Sequence, residues 1–224
     1  MSGIDKPSVN DNRNYDYSGF AEFERPDYKF IVELVENNSK VVDLGCGNGS
    51  LIQKLMIEKN VIAKGIEISE SGVKICKEKG LEVYQGRIDE KLNFNDNEFD
   101  FSICHITIQM VMYPEVLLKE MKRISKYQII SFPNFAFYKN RLELLLKGRM
   151  PKKMLFGYSW FNTGHIHQLS IKDFEELVKT IGGIEIIKKC FIKSNSYKDR
   201  FVLLLPNLFM QFPIFLLRKT DETD

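Results

Sequence analysis

Cysteine is scarce in this sequence, and the few cysteines present are not spaced like metal ligands or a disulfide framework. Cys46, Cys76, Cys104 and Cys190 are far apart in a chain of 224 residues. A chain of this length also builds a core large enough to fold without disulfides. We therefore expect reduced thiols, no metal site and a cytoplasmic protein.

An excess of charge of one sign is also lacking. The 32 basic and 30 acidic residues leave a formal net charge of +2 at pH 7, which provides no overall field to attract a nucleic acid backbone. The first 19 residues are polar and have no apolar segment of the kind that a secretory signal needs. These absences favour a small-molecule partner and argue against nucleic acid.

Long hydrophobic runs are rare as well. The longest, residues 201–217, is interrupted by Pro206 and Pro213, whereas a membrane-spanning helix needs about 20 uninterrupted apolar residues. We expect a turn at Pro206 and Asn207 and a buried strand over 212–217, without membrane insertion. With 44% hydrophobic and 28% charged residues, the composition is that of one globular domain.

Short apolar runs alternate with amphipathic segments between residues 40 and 131, a pattern typical of strands and helices around a parallel sheet. The predicted strands are 40–44, 61–68, 81–85, 99–104 and 127–132, and the predicted helices are 49–59, 70–79, 114–125 and 171–181. Strands over 184–192 and 212–217, predicted as an antiparallel pair, bring the total to seven. Residues 134–163 do not fit a strand and are interpreted as an insertion at the sheet edge.

A glycine-rich turn directly follows the first strand, in the sequence Asp43-Leu-Gly-Cys-Gly-Asn-Gly49. Glycines let a tight turn adopt positive φ and approach a ligand closely. The spacing is not the G-x-G-x-x-G of dinucleotide sites, and the lysine of a nucleoside-triphosphate loop is missing. Glu67, at the end of the second strand, is placed to accept hydrogen bonds from ribose hydroxyls. An ordinary strand-to-helix turn is the alternative interpretation.

The glycine turn together with Glu67 resembles the S-adenosylmethionine site of class I methyltransferases, and the chain from about residue 25 to 219 resembles the MetW family. The most similar stretches are 132–135, 146–151, 158–161, 166–167, 172–174 and 206–209. The resemblance implies an α/β, Rossmann-like sheet of seven strands in the order 3-2-1-4-5-7-6, with helices on both faces and an insertion after strand 5. It implies a single methyltransferase domain over 25–219, followed by a tail over 220–224. Residues 1–24 extend beyond the usual start of the family, and we expect them to form a lid over the cofactor.

The same resemblance implies a set of cofactor-binding residues around the carboxyl ends of the strands. These are Asp43, Gly45, Cys46, Gly47, Glu67, Ile68, Arg87, Ile88, Cys104 and His105. The sequence departs from the family at Arg87, where aspartate is usual, and at His105, where a small polar residue is usual. It departs again at 162–165, ahead of His167.

Methyl transfer from a sulfonium mainly requires alignment and exclusion of water, so a base matters only if the acceptor must lose a proton. His105 and His167 are the candidate catalytic residues, because imidazole titrates near neutral pH. A packing role is the alternative for both histidines.

Residues 139–153 contain six basic residues and one acidic residue, which is typical of a solvated helix face. Arg141 and Arg149 are also candidates for binding an anionic acceptor in bidentate fashion. Tyr158, Trp160 and His165 are the candidate walls of the acceptor pocket.

Two functions follow from the sequence. The first is a methyltransferase for a small polar, anionic metabolite such as a carboxylate, phosphate or phosphoramidate, with the tailoring of a surface polysaccharide as one setting. The alternative, implied by the MetW resemblance, is an accessory partner of a homoserine O-acyltransferase in methionine biosynthesis. Either a homodimer or an acyltransferase complex is compatible with the exposed apolar surface expected on the insertion.

Overall fold

The computed structural model describes residues 17, 25–152, 159–160, 163–190 and 204–220. Its strands are β1 Lys40–Leu44, β2 Ile62–Glu67, β3 Glu82–Gln85, β4 Phe99–His105, β5 Ser125–Ser131, β6 Ile184–Cys190 and β7 Ile214–Lys219. Its helices are α1 Tyr28–Leu34, α2 Ser50–Lys59, α3 Glu70–Glu78, α4 Pro114–Ile124, α5 Tyr138–Lys147, α6 Ile171–Ile181 and α7 Pro206–Phe209.

The seven strands form one sheet in the order β3-β2-β1-β4-β5-β7-β6, which confirms the expected order. The strands β1 to β5 run parallel, and β7 is antiparallel to both β5 and β6. The sheet reverses its direction of growth between β1 and β4. A crevice opens at such a point, beyond the carboxyl ends of the two strands, and this is where open α/β sheets bind ligands.

Helices cover both faces of the sheet, as expected, because the central strands are apolar on both sides. One core lies under α4 and α6 and includes Leu117, Phe132 and Phe174. The other core, on the opposite face, packs α1, α2 and α3 against side chains such as Ile103. These two layers hold the carboxyl ends of β1 and β4 in fixed positions.

The predicted helices and strands agree with the observed ones to within about two residues. The turn predicted at Pro206 and Asn207 is wrong, because these residues begin the short helix α7, and proline fits the first turn of a helix. The sequence pattern also missed α1, a short helix of seven residues. The proposed lid, except for Tyr17, and the tail beyond residue 220 lie outside the described residues.

None of the helices in the described residues is long and apolar enough to cross a membrane.

Candidate functional site

The glycine turn lies at the carboxyl end of β1, next to the end of β4. Gly45, Gly47 and Gly49 have φ angles of +86°, +58° and +74°, a region that side chains disfavour. The turn is tied to β2 because the N–H groups of Gly45 and Cys46 donate to the carbonyl of Ile66 at 2.8 and 3.1 Å. Gly49 then caps α2. Three glycines are therefore required here by backbone conformation.

Gly45 also makes room for Thr107, which follows β4. A Cβ atom at position 45 would lie 2.7 Å from Thr107 Cγ2 and 2.8 Å from its Oγ1. Real Cβ atoms do not approach that closely, so the glycine allows the β4 loop to lie against the turn. The two sides of the crevice meet at this contact.

Glu67 links the turn to the start of α3. Its carboxylate accepts hydrogen bonds from Gly47 N at 2.7 Å and from Ser69 N at 2.9 Å. A Cβ atom at Gly72 of α3 would lie 2.8 Å from the Gly47 carbonyl oxygen, so this second glycine lets α3 approach the turn. The Glu67 side chain is thus held in one orientation beside the glycine backbone.

Tyr17 lies on this same surface. A Cβ atom built on Gly47 or on Gly72 would be 3.2 Å from the Tyr17 ring, and the Tyr17 N–H donates to Ser71 Oγ at 3.0 Å. The ring therefore packs over the junction of the glycine turn and α3.

Asp43, the last polar residue of β1, has an unusual electrostatic environment. The residue is 2% exposed, and its Oδ1 atom has no hydrogen-bond partner within the described part of the chain. Burial, with a further contribution from the Glu67 charge, raises the pKa of Asp43 to about 7. Burial and the neighbouring Asp43 likewise raise the pKa of Cys104. Two acidic side chains therefore share this end of the site, a place that favours a positively charged group.

His105, at the end of β4, is held by the protein on both ring nitrogens. Arg25 Nε donates to His105 Nε2 at 3.1 Å, and His105 Nδ1 lies 2.6 Å from Ser131 Oγ. His105 Nε2 also lies 3.4 Å from Asp27 Oδ2, so the ring faces both Arg25 and Asp27. Arg25 is itself paired with Asp27 at 3.1 Å. Burial, together with the Arg25 charge, lowers the pKa of His105 despite the opposing effect of Asp27, which favours a neutral ring.

The residue after His105 has a strained backbone. Ile106 has a φ of +58°, which is rare for a β-branched residue and costs on the order of 1–3 kcal/mol. Its N–H donates to the carbonyl oxygen of Ser131 at 3.0 Å and to Ser131 Oγ at 3.2 Å, which holds the strained turn in place. The strain turns the chain sharply, so that Thr107 reaches Gly45.

The loop after β3 forms the far side of the site. Arg87 pairs with Asp89 at 2.7 Å, and the same Asp89 oxygen accepts the N–H groups of Met112 and Tyr113 at 2.8 and 3.1 Å. Ile88 is 6% exposed and belongs to the core, while Ile68 connects Glu67 to Ser69. Asp89 therefore joins the loops that follow β3 and β4.

The other two histidines lie on the segment before α6. His167 Nε2 is 3.4 Å from the Met112 carbonyl oxygen, and the His167 N–H donates to the Gln109 carbonyl oxygen at 3.0 Å. His165 is buried, with Nδ1 3.0 Å from Thr163 Oγ1. The structure thus places His167 against the β4 loop and His165 inside the protein.

The remaining candidates for acceptor binding are dispersed. Arg141 Nε donates to the Ala136 carbonyl oxygen at 2.6 Å, and Arg149 lies 3.6 Å from a Glu143 carboxylate oxygen. Trp160 is 71% exposed, and Tyr158 lies outside the described residues. The polar contacts recorded for Arg141 and Arg149 are all with α5, its flanking residues and α7, so these contacts do not bring them to the glycine turn.

Several residues of the site were not identified from the sequence. They are Arg25, Asp27, Gly72, Thr107 and Ser131, whereas Tyr17 belongs to the segment expected to form a lid. Nothing in the local sequence indicates that Ile106 has a positive φ or that Arg25 contacts His105. The glycine at 72, inside a predicted helix, was the one available signal, since a helical glycine often marks a close approach.

A family model described as "Methionine biosynthesis protein MetW" matches residues 25–217. A curated relative, the bifunctional methionine biosynthesis protein MetXA/MetW of Rhodopirellula baltica, is 32% identical over 166 residues. That alignment covers 68% of this chain but 26% of the relative. The chain therefore corresponds to about a quarter of that bifunctional protein.

Solved structures show the same fold. One match is a chain in the complex between the Haloferax volcanii Trm112 methyltransferase activator and a putative methyltransferase, with a TM-score of 0.61 and 16% identity over 86% of this chain and 88% of that one. A SAM-dependent methyltransferase from Aquifex aeolicus also has a TM-score of 0.61, with 14% identity over 92% of this chain and 100% of that one. At such identities the likeness concerns the fold alone.

Proposed function

The chain belongs to the MetW family of class I S-adenosylmethionine-dependent methyltransferase folds, and from this premise we propose that it transfers a methyl group to a small polar, anionic metabolite. The observation that carries the proposal is the pair of acidic residues, Asp43 and Glu67, beside a glycine turn at the point where the sheet reverses. A cationic, ribose-containing cofactor suits this combination. When bound, S-adenosylmethionine supplies an electrophilic methyl group on a sulfonium.

The residues present fit that cofactor. The side-chain-free surface of Gly45 and Gly47 lets the backbone approach a ligand, and Glu67 offers carboxylate oxygens for ribose hydroxyls. Asp43 Oδ1 has no hydrogen-bond partner within the described residues, so this oxygen would be available to a cationic ligand. Ile68, Ile88, Cys46 and Cys104 would provide apolar walls, and Arg87 would lie at the adenine edge.

An anionic acceptor is proposed because the site does not supply an obvious base. Both ring nitrogens of His105 are engaged, so this residue would align the β4 end and exclude water. A carboxylate, phosphate or phosphoramidate is already nucleophilic and needs a cationic clamp more than a base. We assign that clamp to Arg149 and Arg141 on α5. Trp160, His165 and Tyr158 would line the acceptor side, and His167 remains the candidate for proton transfer.

Replacement of Glu67 tests the cofactor assignment. Glu67→Gln keeps the shape but removes the charge that orders Gly47 and Ser69, so the affinity for S-adenosylhomocysteine should fall roughly tenfold to a hundredfold by isothermal titration calorimetry. Glu70→Gln is the matched control, because Glu70 is exposed on the next helix. Unchanged affinity in Glu67→Gln, or no binding by the wild type, would contradict the assignment.

A role as an accessory partner of a homoserine O-acyltransferase is the second candidate, and the fused relative MetXA/MetW favours it. Its test is co-purification with such an acyltransferase and measurement of the acyltransferase rate. If the accessory role needs no methyl transfer, the wild type and the Glu67→Gln variant should support the same acyltransferase rate. A chain that methylates a small acceptor alone would count against this role.

A further inference from the structure

Helix α5 has an apolar surface that the described chain does not cover. Asn140 is its one buried residue. Four leucines are exposed instead, at 48, 46, 78 and 77% for Leu142, Leu144, Leu145 and Leu146 respectively. In α4, by contrast, the apolar residues Leu117, Leu118, Met121 and Ile124 are all buried. Clustered exposed leucines of this kind mark an interaction surface.

The surface continues onto the segment next to α7. Leu204 and Leu205 are 74 and 53% exposed. Helix α7, which directly follows Leu205, lies beside the start of α5, since the Tyr138 and Phe209 rings are 5.8 Å apart and Arg141 Nη2 is 3.5 Å from the Asn207 carbonyl oxygen. We call these six leucines the α5 apolar surface.

Exposed cations flank this surface. They are Lys139, Arg141, Lys147, Arg149 and Lys152. The one acidic residue between 138 and 152, Glu143, is 13% exposed and lies 3.7 Å from Lys147 and 3.6 Å from Arg149. The charge presented around the leucines is therefore strongly positive. Two copies of this surface would repel each other, which disfavours self-association through it.

The distribution of the leucines around α5 indicates what kind of surface they contact. Leu144, Leu145 and Leu146 are consecutive, so at about 100° per residue they cover roughly 200° of the helix circumference. A helix that inserts into a protein groove presents a narrower stripe with i, i+3, i+4 and i+7 spacing. Leu142, Leu145 and Leu146 follow this spacing, but Leu144 lies about 100° to one side and widens the exposed apolar surface. A broad apolar wedge with a cationic margin suits the boundary of a lipid bilayer, where leucines enter the acyl region and Lys and Arg side chains extend to the headgroups.

From this charge complementarity and shape we propose that the α5 apolar surface attaches the protein to anionic lipid membranes. The contact is peripheral and reversible. It goes beyond the proposed methyl transfer, because the leucines that carry it are not among the residues assigned to the cofactor or to the acceptor.

Co-sedimentation of the full chain with vesicles tests this proposal. We expect a bound fraction about tenfold higher on phosphatidylcholine vesicles that contain phosphatidylglycerol than on phosphatidylcholine alone, with release at high salt. The double variant Leu145→Glu/Leu146→Glu should lose this binding, since both side chains are exposed and their replacement leaves the core intact. Ile57→Glu on α2 is the matched control, because Ile57 is 83% exposed on another helix and its replacement should leave binding unchanged.

Three results would overturn the proposal. The first is the absence of sedimentation with anionic vesicles, and the second is sedimentation that persists in the double variant. The third is the absence of vesicle binding combined with a complex of defined stoichiometry between the wild type and an added homoserine O-acyltransferase. If the double variant does not form this complex, the leucines are a protein-docking surface. S-adenosylhomocysteine binding, measured on the same samples, separates a failure here from a failure of the proposed methyl transfer.

Discussion

At the scale of single residues, Asp43 is a buried acidic side chain whose environment lowers the stability of its charged form. A buried carboxyl without a partner for Oδ1 opposes its own ionisation, and the nearby charge of Glu67 adds to this effect. In the absence of a ligand, an apolar or amide side chain at this position would destabilise the fold less than a buried carboxylate does at neutral pH. A group that destabilises the unliganded fold and offers an acceptor to a cation is expected at a binding site.

Asp43→Asn should therefore change the pH dependence of stability. In the wild type the pKa rises from 3.8 in the unfolded chain to about 7 in the fold, so stability is greatest below the unfolded value and is lost as the pH rises toward 7. The amide does not ionise. The variant should match the wild type near pH 4 and exceed its free energy of unfolding by a few kcal/mol at pH 8, as measured by urea denaturation.

Asp100→Asn is the control for that experiment, because Asp100 lies exposed on β4. A stability difference between Asp43→Asn and the wild type that stays constant from pH 4 to pH 8 would show that Asp43 is ionised in the fold throughout.

At the scale of elements, the chain that leaves β5 is organised by a single buried asparagine. The Asn134 side chain donates to the carbonyl oxygens of Asn207 and Met210 at 3.1 and 2.8 Å, and accepts the N–H of Ala136 at 3.1 Å. It thereby joins the start of the insertion to α7. The hydrogen bond to the Met210 carbonyl is buried, the other two are partly buried, and the Asn207 carbonyl oxygen also accepts from Arg141 Nη2 at 3.5 Å.

Asn134→Ala should lower the free energy of unfolding by about 1–3 kcal/mol, because it leaves the buried Met210 carbonyl without its side-chain donor. Asn95→Ala, at an exposed position of the loop before β4, should change it by less than about 0.5 kcal/mol. Chemical denaturation of both variants measures the difference. Equal stabilities would mean that water replaces the Asn134 contacts.

At the scale of the whole molecule, the site is assembled from separate parts of the chain. Arg25 precedes α1, the glycine turn follows β1, Gly72 lies in α3 and Thr107 follows β4. A ligand held at this junction stabilises every element that meets there, since it binds the folded state and not the unfolded one.

S-adenosylhomocysteine at a hundred times its Kd should therefore stabilise the fold by about 2.7 kcal/mol and raise the Tm by roughly 5–11 °C in scanning calorimetry. Gly45→Ala should abolish the increase, because the new Cβ would lie 2.7 Å from Thr107 Cγ2. Gly80→Ala is the matched control, with a φ of +74° but nothing within 4 Å of the new Cβ, so it should keep the increase. A normal increase in Gly45→Ala would place the ligand elsewhere.

The strand and helix pattern of the sheet could be predicted from the sequence. Buried parallel strands such as β1 and β4 are short runs rich in apolar residues. The caps Ser69 and Ser170 mark helix starts, because their side chains accept backbone N–H groups of the first turn. The glycine turn was recognisable because positive φ excludes most other residues. These are local constraints, so they leave local signals.

What the tertiary structure alone decided depends on contacts between distant residues. Arg25, 80 positions away, donates a hydrogen bond to His105, and burial lowers the pKa of the histidine; neither effect could be predicted from the residues around position 105. Exposed apolar surface was expected on the insertion, but only the tertiary structure identifies the leucines of α5 that form it. The sequence by itself determined the strands, the longer helices and the glycine turn, but not the short helices α1 and α7, because only the longer elements carry a full local pattern. The pKa shifts of Asp43 and His105 and the exposure of the α5 leucines depend on which residues are buried, and burial is set by the whole fold and not by a short segment.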